Sequence, residues 1–267
     1  MNLENKVVVI TGAGSGIGRC LAIQLEQKGC KLALSDVNEA GLAETIAQLK
    51  NGEQVKSDNL NVANEKDFFE YADDVITHFG RVDAVINNAG VVAYSSVEEC
   101  SLDIYKWVMD INVMGTLYGT KAFLPCMKKQ GSGQIVNISS IFGIISAPDL
   151  SAYHMSKFAV RGLNECLWSE LKGTGVDCIS IHPGGIKTNL IEGGRSSSKE
   201  ASDKMKRFGK LFVTTPEVCA AKIIKGMEKK QRRVLIGADA KIFSLLSRLL
   251  PNSYHKVFNL FLESKLV

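Results

Sequence analysis

The chain has 267 residues, a formal net charge of +4, 45% hydrophobic residues and 22% charged ones. That length suits one α/β domain, or at most two small ones, with a sizeable core. So mild a charge, with no dense Lys/Arg run, argues against nucleic acid as a partner, and no apolar stretch approaches the roughly eighteen residues that span a bilayer. The seven cysteines are odd in number, scattered and never spaced as Cys-x-x-Cys. That fits reduced thiols rather than a disulfide framework or a zinc site. The four histidines show no ligand spacing either, so no metal is expected. A strand-like run begins within a few residues of the start, no signal peptide is visible, and the expected address is the cytoplasm.

Val7-Val-Val-Ile10 is a short, continuous apolar run of the kind that forms a strand buried on both faces. Thr11-Gly-Ala-Gly-Ser-Gly-Ile-Gly18 follows it, and then an amphipathic run over residues 19–28. Strand, glycine-rich turn and helix in that order suit a dinucleotide. Gly12 permits the tight turn, Gly16 lets backbone approach a pyrophosphate and Gly18 allows close helix–strand packing, while the helix N-terminus offers amide donors. A second buried strand over 31–35 ends at Asp36. Its carboxylate is placed to accept hydrogen bonds from an adenosine ribose 2′-OH and to repel a 2′-phosphate. No arginine or lysine stands at Ser15 or Val37, so NAD is preferred over NADP; the alternative for Asp36 is a cap on the next helix.

Residues 38–50 read as a helix and 54–57 as a strand leading to Leu60-Asn61-Val62. A further helix over 65–79 carries Phe68, Ala72, Val75, Ile76 and Phe79 as a core stripe. A fourth strand over 82–86 runs into Asn87-Asn88-Ala89-Gly90, small residues at a strand's carboxyl end, where a ligand lies against the backbone. One helix is expected over 101–128, a fifth strand over 134–138 ending at Ser139-Ser140, and a long helix over 151–172. In that helix Tyr153 and Lys157 stand four apart on one face, so the ammonium is placed to draw the phenol down from its usual pKa of about 10. Ser139 or Ser140 could donate a hydrogen bond; strand alternation points them to opposite sides, so only one faces a substrate.

A sixth strand over 176–181 leads into His182-Pro183-Gly184-Gly-Ile186-Lys-Thr188, with His182 read as satisfied packing at the strand end. The segment 188–215, polar and then amphipathic, is expected to be a mobile flap over the substrate. A helix over 216–230, with its start at Thr215-Pro216, precedes a last strand over 233–236. The tail, residues 240–267, sets Phe243, Leu245, Leu246, Leu249, Leu250, Phe258, Leu260, Phe261 and Leu262 beside Lys241, Arg248, Lys256 and Lys265, with Glu263 its only acid. A basic amphipathic tail suggests docking on a membrane surface. Cover over a substrate pocket, or a subunit interface, accounts for the same residues.

Taken together, the Thr11–Gly18 stretch, Asn87-Asn-Ala-Gly90 and Tyr153-His-Met-Ser-Lys157 resemble the short-chain dehydrogenase/reductase family in order and spacing, over roughly residues 5–190. The resemblance implies an α/β fold: a single doubly wound Rossmann-type domain over 1–267, with a seven-stranded, mostly parallel sheet and helices on both faces. It implies an enzyme that moves a hydride between NAD, or less readily NADP, and a secondary alcohol or ketone. The catalytic positions it marks are Asn112, Ser140, Tyr153 and Lys157, Ser140 being selected by the family's spacing of thirteen residues before the tyrosine. The cofactor positions are Gly12, Ser15, Gly16, Ile17, Gly18, Asp36, Asn61, Val62, Asn88, Ala89, Gly90, Tyr153, Lys157, Pro183, Gly184, Ile186 and Thr188.

In that scheme Tyr153 is the general base and Ser140 steadies the substrate oxygen. Lys157 binds the nicotinamide ribose and lowers the tyrosine pKa. Asn112 bends its helix and holds a relay water through its main-chain carbonyl. One departure stands at Asn61, where the family usually has aspartate ahead of Val62. The helices over 101–128 and 151–172 imply a homodimer or homotetramer. Ile141, Phe142, Ile144 and Ile145 after Ser140, with Val91 and Val92, suggest an apolar pocket wall and a steroid-, retinoid- or fatty-chain-like substrate. The rival readings are an NADPH-linked ketoacyl-type reductase, which Asp36 opposes, and a dinucleotide sensor or scaffold without turnover, which the intact catalytic set opposes.

Overall fold

Strands β1 (Val7–Thr11), β2 (Lys31–Asp36), β3 (Val55–Asn59), β4 (Ala84–Asn87), β5 (Ala93–Tyr94), β6 (Gly133–Ile138), β7 (Val176–Pro183), β8 (Arg195–Ser196) and β9 (Arg233–Ile236) make two sheets in the computed structural model. It describes residues 2–266; the side chains of Glu53 and of residues 261–266 lie outside the described ones, and with them the Phe261, Leu262, Glu263 and Lys265 expectations. Seven strands form one sheet in the order β3-β2-β1-β4-β6-β7-β9, every neighbouring pair parallel. β5 and β8 form a separate two-stranded ribbon.

The helices are α1 (Gly16–Glu26), α2 (Glu39–Ile46), α3 (Glu65–Phe79), α4 (Leu102–Met109), α5 (Gly115–Gln130), α6 (Ser151–Glu170), α7 (Lys199–Gly209), α8 (Pro216–Glu228), α9 (Ala238–Leu249) and α10 (Tyr254–Leu266).

Successive strand residues point to opposite faces, and the core divides accordingly. Val8 and Ile10 of β1 join Leu32, Leu34, Leu21 and Leu25, with Ile223 of α8, on one face. Val7 and Val9 join Ala33, Val85, Phe68, Val75 and Phe123 on the other. Burying a leucine or phenylalanine completely, as at Leu25 and Phe68, contributes roughly 2–3 kcal/mol per side chain. Helix ends follow local chemistry. Asn64 caps α3 by accepting from the Asp67 amide, and Gly80 ends it at φ 72°. Thr215 caps α8 ahead of Pro216 by accepting from the Val218 amide.

Most strand and helix ends shift by a residue or two from the sequence reading, and four differences are larger. α1 begins at Gly16, so its first turn is built from the glycine motif itself. α2 stops at Ile46 rather than near residue 50. The helix expected over 101–128 is interrupted by a π-turn at Asp110–Met114. The flap segment contains β8 and α7, capped by Ser198.

The chain runs outward from β1 through β2 to β3, then crosses back to β4 and runs the other way. That reversal opens a crevice at the carboxyl ends of β1 and β4, where open α/β sheets bind ligands. In the tail, Ala240 and Phe258 pack on Ile141 and Ile145, and the Ser146 amide donates to the Tyr254 hydroxyl at 3.2 Å. The inner side of α9 and α10 thus covers the loop that follows β6. Ile242, Leu245 and Leu249 face outward, at 58–69% exposure. Among the described residues no helix is long and apolar enough to cross a membrane.

Candidate active site

A cleft at this crevice is lined by Gly12, Ser15, Gly16, Ile17, Asp36, Asn61, Val62, Asn88, Ala89, Gly90, Ser140, Tyr153, Lys157, Pro183, Gly184, Ile186 and Thr188. Two of the residues marked from the sequence, Gly18 and Asn112, stand behind its wall. Gly18 packs so closely that a Cβ there would run into the Gly12 carbonyl oxygen.

The glycine turn is held open by its neighbours. Gly12 has φ 66°, and a Cβ on it would lie 2.8 Å from the Ala89 Cα. The Asn88 side chain donates to the Thr11 and Gly12 carbonyls at 2.9 and 3.0 Å, and the Thr11 hydroxyl accepts from the Asn88 and Ala89 amides. Asn88 therefore clamps the β1 and β4 ends together. Gly16 has φ 50°, and a Cβ on it would press the Thr188 methyl at 3.2 Å. Ser15 caps α1 without a side-chain bond, and the first amides of a helix have no intrahelical acceptor. A bare backbone cradle, free amide donors and helix dipole together fit a pyrophosphate.

Asp36 Oδ2 accepts from the Gly14 amide at 2.8 Å and Oδ1 from the Asn38 amide at 2.9 Å. It does not cap the next helix; Asn38 does, accepting from the Gly41 amide. Arg19, the cation of the glycine turn, is spent behind it on the Gly14 and Gly41 carbonyls, Glu44 and Thr45. Asn61 Oδ1 accepts from the Ala63 amide.

At the end of β6 the two serines part. Ser139 Oγ donates to the Lys157 carbonyl at 2.9 Å and is structural. Ser140 opens the short turn Ile141–Gly143, accepts from the Phe142 amide at 3.1 Å and lines the cleft beside the Tyr153 phenol. Lys157 Nζ lies 5.6 Å from the Tyr153 ring centre and donates to the Ile138 carbonyl at 3.0 Å. A Cβ at Gly90 would stand 3.1 Å from Asn112 Oδ1 and 3.5 Å from Lys157 Nζ, so its missing side chain makes room for both.

Burial pushes the Tyr153 phenol up to about 12, against the weaker pull of the neighbouring Ser140 hydroxyl. It also pushes the Lys157 ammonium down to about 8. The lowering of the phenol expected from the helical spacing is therefore not what the protein's own groups produce. Desolvation disfavours the charged form of both groups.

Asn112 is fully buried in the π-turn. Its Oδ1 accepts from the Val91 amide at 2.8 Å, its Nδ2 donates to the Val91 carbonyl and to Ser156 Oγ, and its own carbonyl accepts from Thr116 Oγ1. Ser156 Oγ in turn donates to the Tyr153 carbonyl at 2.7 Å. Asn112 thus ties the loop after β4 to the helix that carries the tyrosine.

A buried polar chain that the sequence reading missed ends at Ser140. A carbonyl only accepts, so His182 Nδ1 donates to the Ser140 carbonyl, at 2.9 Å, and the ring is the neutral Nδ1–H tautomer. Its Nε2 then accepts from Ser180 Oγ at 2.8 Å. Ser180 accepts from Asn164 Nδ2, Asn164 Oδ1 from Asn137 Nδ2, and Asn137 Oδ1 from Asn87 Nδ2. Every link points the same way, from β4 across β6, α6 and β7 to the residue beside the phenol. The signal was present as polar residues inside apolar strand runs, at Asn137 and Ser180.

On the side away from the glycine turn the cleft wall is apolar, with Val91, Val92, Phe142, Leu150, Ile191 and Met205. Ile141 and Ile145, expected in this wall, turn instead to a neighbouring cavity, and Ile144 packs under the tail. The short turn after Ser140 rotates them away.

The chain is a nicotinamide-dependent oxidoreductase acting on a CH–OH group, and the switch-point crevice, with Ser140, Tyr153 and Lys157 converging in it, is its candidate site. The chain belongs to the short-chain dehydrogenase family, whose model matches residues 6–199. It is 42% identical over 261 residues to a Mycobacterium tuberculosis protein carrying the name oxidoreductase SadH, a match over 96% of this chain and 95% of that one. It is 32% identical over 257 residues to human estradiol 17-beta-dehydrogenase 11, over 95% of this chain and 82% of that protein. A solved short-chain dehydrogenase/reductase from Burkholderia phymatum, in complex with NAD, superposes with a TM-score of 0.88 at 29% identity, over 94% of this chain and 95% of that one.

Proposed function

We propose that this enzyme oxidises a lipophilic secondary alcohol with NAD, or runs the reverse reduction. The observation that carries the reading is the convergence of Ser140, Tyr153 and Lys157 in one cleft, with an apolar wall on one side and the dinucleotide cradle on the other. Gly12, Gly16, Asp36, Gly184 and Thr188 would hold the cofactor. When bound, its nicotinamide supplies the hydride-accepting carbon and, in its oxidised form, a positive charge near the phenol.

The substrate hydroxyl sits between Ser140 and Tyr153. Ser140 Oγ donates to the substrate oxygen and Tyr153 Oη takes its proton. Lys157, held on the Ile138 carbonyl, supports the phenolate and meets the ribose hydroxyls. Asn112 holds Val91 and, through Ser156, the backbone of Tyr153. Asp36 supports NAD over NADP, because its carboxylate would repel a 2′-phosphate while Arg19 is committed elsewhere. Estradiol 17-beta-dehydrogenase 11, by its name, acts on a steroid alcohol, which supports a lipophilic substrate class.

The test is dinucleotide reduction by the purified protein, with NAD and NADP, against secondary alcohols from polyols to lipophilic ones. Turnover with NAD on the lipophilic members is expected; rapid turnover of polyols alone would remove the substrate class.

We extend the reading to a cytoplasmic homo-oligomer built on α4 and α6, where Leu102, Met155 and Phe158 are exposed. Light scattering that gives a monomer at micromolar concentration would remove it. Outward-facing Ile242, Leu245 and Leu249 beside Lys241 and Arg248 favour a second reading, peripheral contact with an anionic membrane. Unchanged sedimentation with anionic vesicles would refute that one.

A further inference from the structure

Behind the apolar wall of the cleft lies a second cavity of about 460 Å³, against about 350 Å³ for the cleft itself. Ile141, Ile145, Leu211, Val213, Phe243 and Phe258 line it, so its roof is the inner side of α9 and α10. Its size falls within the range of ligand cavities. Its polar side chains are those of Thr214, Lys222 and Asp239. Asp239 Oδ2 accepts from the Gly185 amide at 2.7 Å, and Lys222 is exposed.

The two cavities share Phe142, Phe208, Phe212 and Gly184. The partition is thus largely one layer of aromatic rings, and it begins beside the reacting groups. Phe142 follows Ser140 by two residues and meets the Tyr153 ring edge-on at 6.5 Å. It also meets Phe208 and Phe258, each at 6.3 Å, and Phe208 meets Phe212 at 5.2 Å. Phe142 is fixed from behind, since His154 Nδ1 donates to its carbonyl at 3.0 Å. Phe208 stands in the last turn of α7 and Phe212 three residues beyond its end, both in the segment read as a flap. An oxygen held between Ser140 and Tyr153 therefore leaves one arm of the substrate facing these rings.

We propose that the second cavity is a subsite for the hydrocarbon tail of the substrate, which passes between Phe142 and the Phe208–Phe212 pair. This rests on the alcohol-oxidation reading above and narrows it to secondary alcohols or ketones with an extended aliphatic arm. A compact polar alcohol leaves the chamber unused. The cleft must also hold the dinucleotide, so the reacting end and the cofactor fill it and only the chamber is left for a long arm.

The experiment compares 2-alkanols from 2-butanol to 2-dodecanol, by initial rates with NAD and by calorimetric binding. The proteins are the wild type and two variants that fill the chamber from different sides, Leu211→Trp and Ala238→Phe, each checked for an unchanged thermal melt. In the wild type, kcat/KM and affinity rise by roughly fourfold per methylene until the chamber is full. A filled variant keeps 2-butanol within about twofold and loses the rise with chain length. Equal chain-length profiles in wild type and both variants would overturn the subsite, as would a wild type that binds 2-dodecanol no better than 2-butanol. Chain-length-dependent binding that a filled variant abolishes, with no turnover in any protein, would uphold the subsite and sink the oxidation reading alone.

Discussion

Replacing His182 by leucine tests how the site is held together. His182 is fully buried and makes two hydrogen bonds, donating to the Ser140 carbonyl at 2.9 Å and accepting from Ser180 Oγ at 2.8 Å. Leucine fills much of the space but takes one bond from each partner: the Ser180 hydroxyl loses its acceptor while still accepting from Asn164 Nδ2, and the Ser140 carbonyl keeps only the Gly143 amide. An unsatisfied buried donor costs about 1–3 kcal/mol and the loss of one of a carbonyl's two bonds about 1 kcal/mol, so His182→Leu should lower stability by roughly 3 kcal/mol at pH 7. The loss carries a pH signature. Burial pushes the His182 imidazole down to about 4, from roughly 6.5 in the unfolded chain. Between those values the unfolded chain binds the extra proton, so His182's contribution is complete above pH 6.5 and drains away as pH falls toward 4.

At 1.36 kcal/mol per decade that gap amounts to about 3 kcal/mol. Urea unfolding of wild type and His182→Leu at half-unit steps from pH 4.5 to 7.5 reads it directly. The wild type should lose more stability on acidification than the variant, the two curves converging near pH 4. As a positioning residue, His182 should also lower kcat more than it raises KM, because it shifts Ser140 without touching substrate. Equal stability at pH 7 and parallel pH curves would refute the polar chain as a support of the site.

Tyr153 sits well above neutral through burial, so its phenolate fraction rises about tenfold per pH unit below that value. Alcohol oxidation should therefore climb steeply from pH 7 to 9 while ketone reduction is favoured at lower pH; a flat oxidation profile over that range would argue against the phenol as base. Asp36→Ala should cut kcat/KM with NAD by roughly 10–100-fold and narrow the NAD:NADP ratio by at least that much, since one charge-assisted bond is lost and the repulsion of a 2′-phosphate goes with it. Loosening of the glycine turn through the Gly14 amide would act on both cofactors alike, so an unchanged ratio would mean that Asp36 does not select.

Much of the fold was legible because parallel strands buried on both faces appear as unbroken apolar runs. Val7–Ile10 is the clearest example, and the glycine motif marked the turn between β1 and α1. The cleft was legible for the same reason, since its backbone-lined parts need small residues at strand ends. What stayed hidden depended on side-chain surroundings. The π-turn at Asp110–Met114 interrupts a segment whose helical periodicity runs straight through it. His182 looked like filler because one partner, Ser180, stands two residues back on its own strand and the other, the Ser140 carbonyl, lies just past the end of neighbouring β6. Ile141 and Ile145 carried the right chemistry for a pocket wall, but one short turn aimed them at the next chamber. Lys157 stood at the right spacing, yet spacing carries no information on how dry the site is, and dryness decides the sign of both pKa shifts.

The central claim is that the chain transfers a hydride between NAD and a lipophilic secondary alcohol with Tyr153 moving the proton. Its most direct test is the pairing of NAD binding with NAD reduction in wild type and Tyr153→Phe, on a medium-chain secondary alcohol. The account predicts NAD affinity within about threefold in the two proteins and a fall in turnover of roughly 10²–10⁴-fold in the variant. A variant that oxidises the alcohol at the wild-type rate, or a wild type that binds NAD and turns over none of the alcohols, would contradict it.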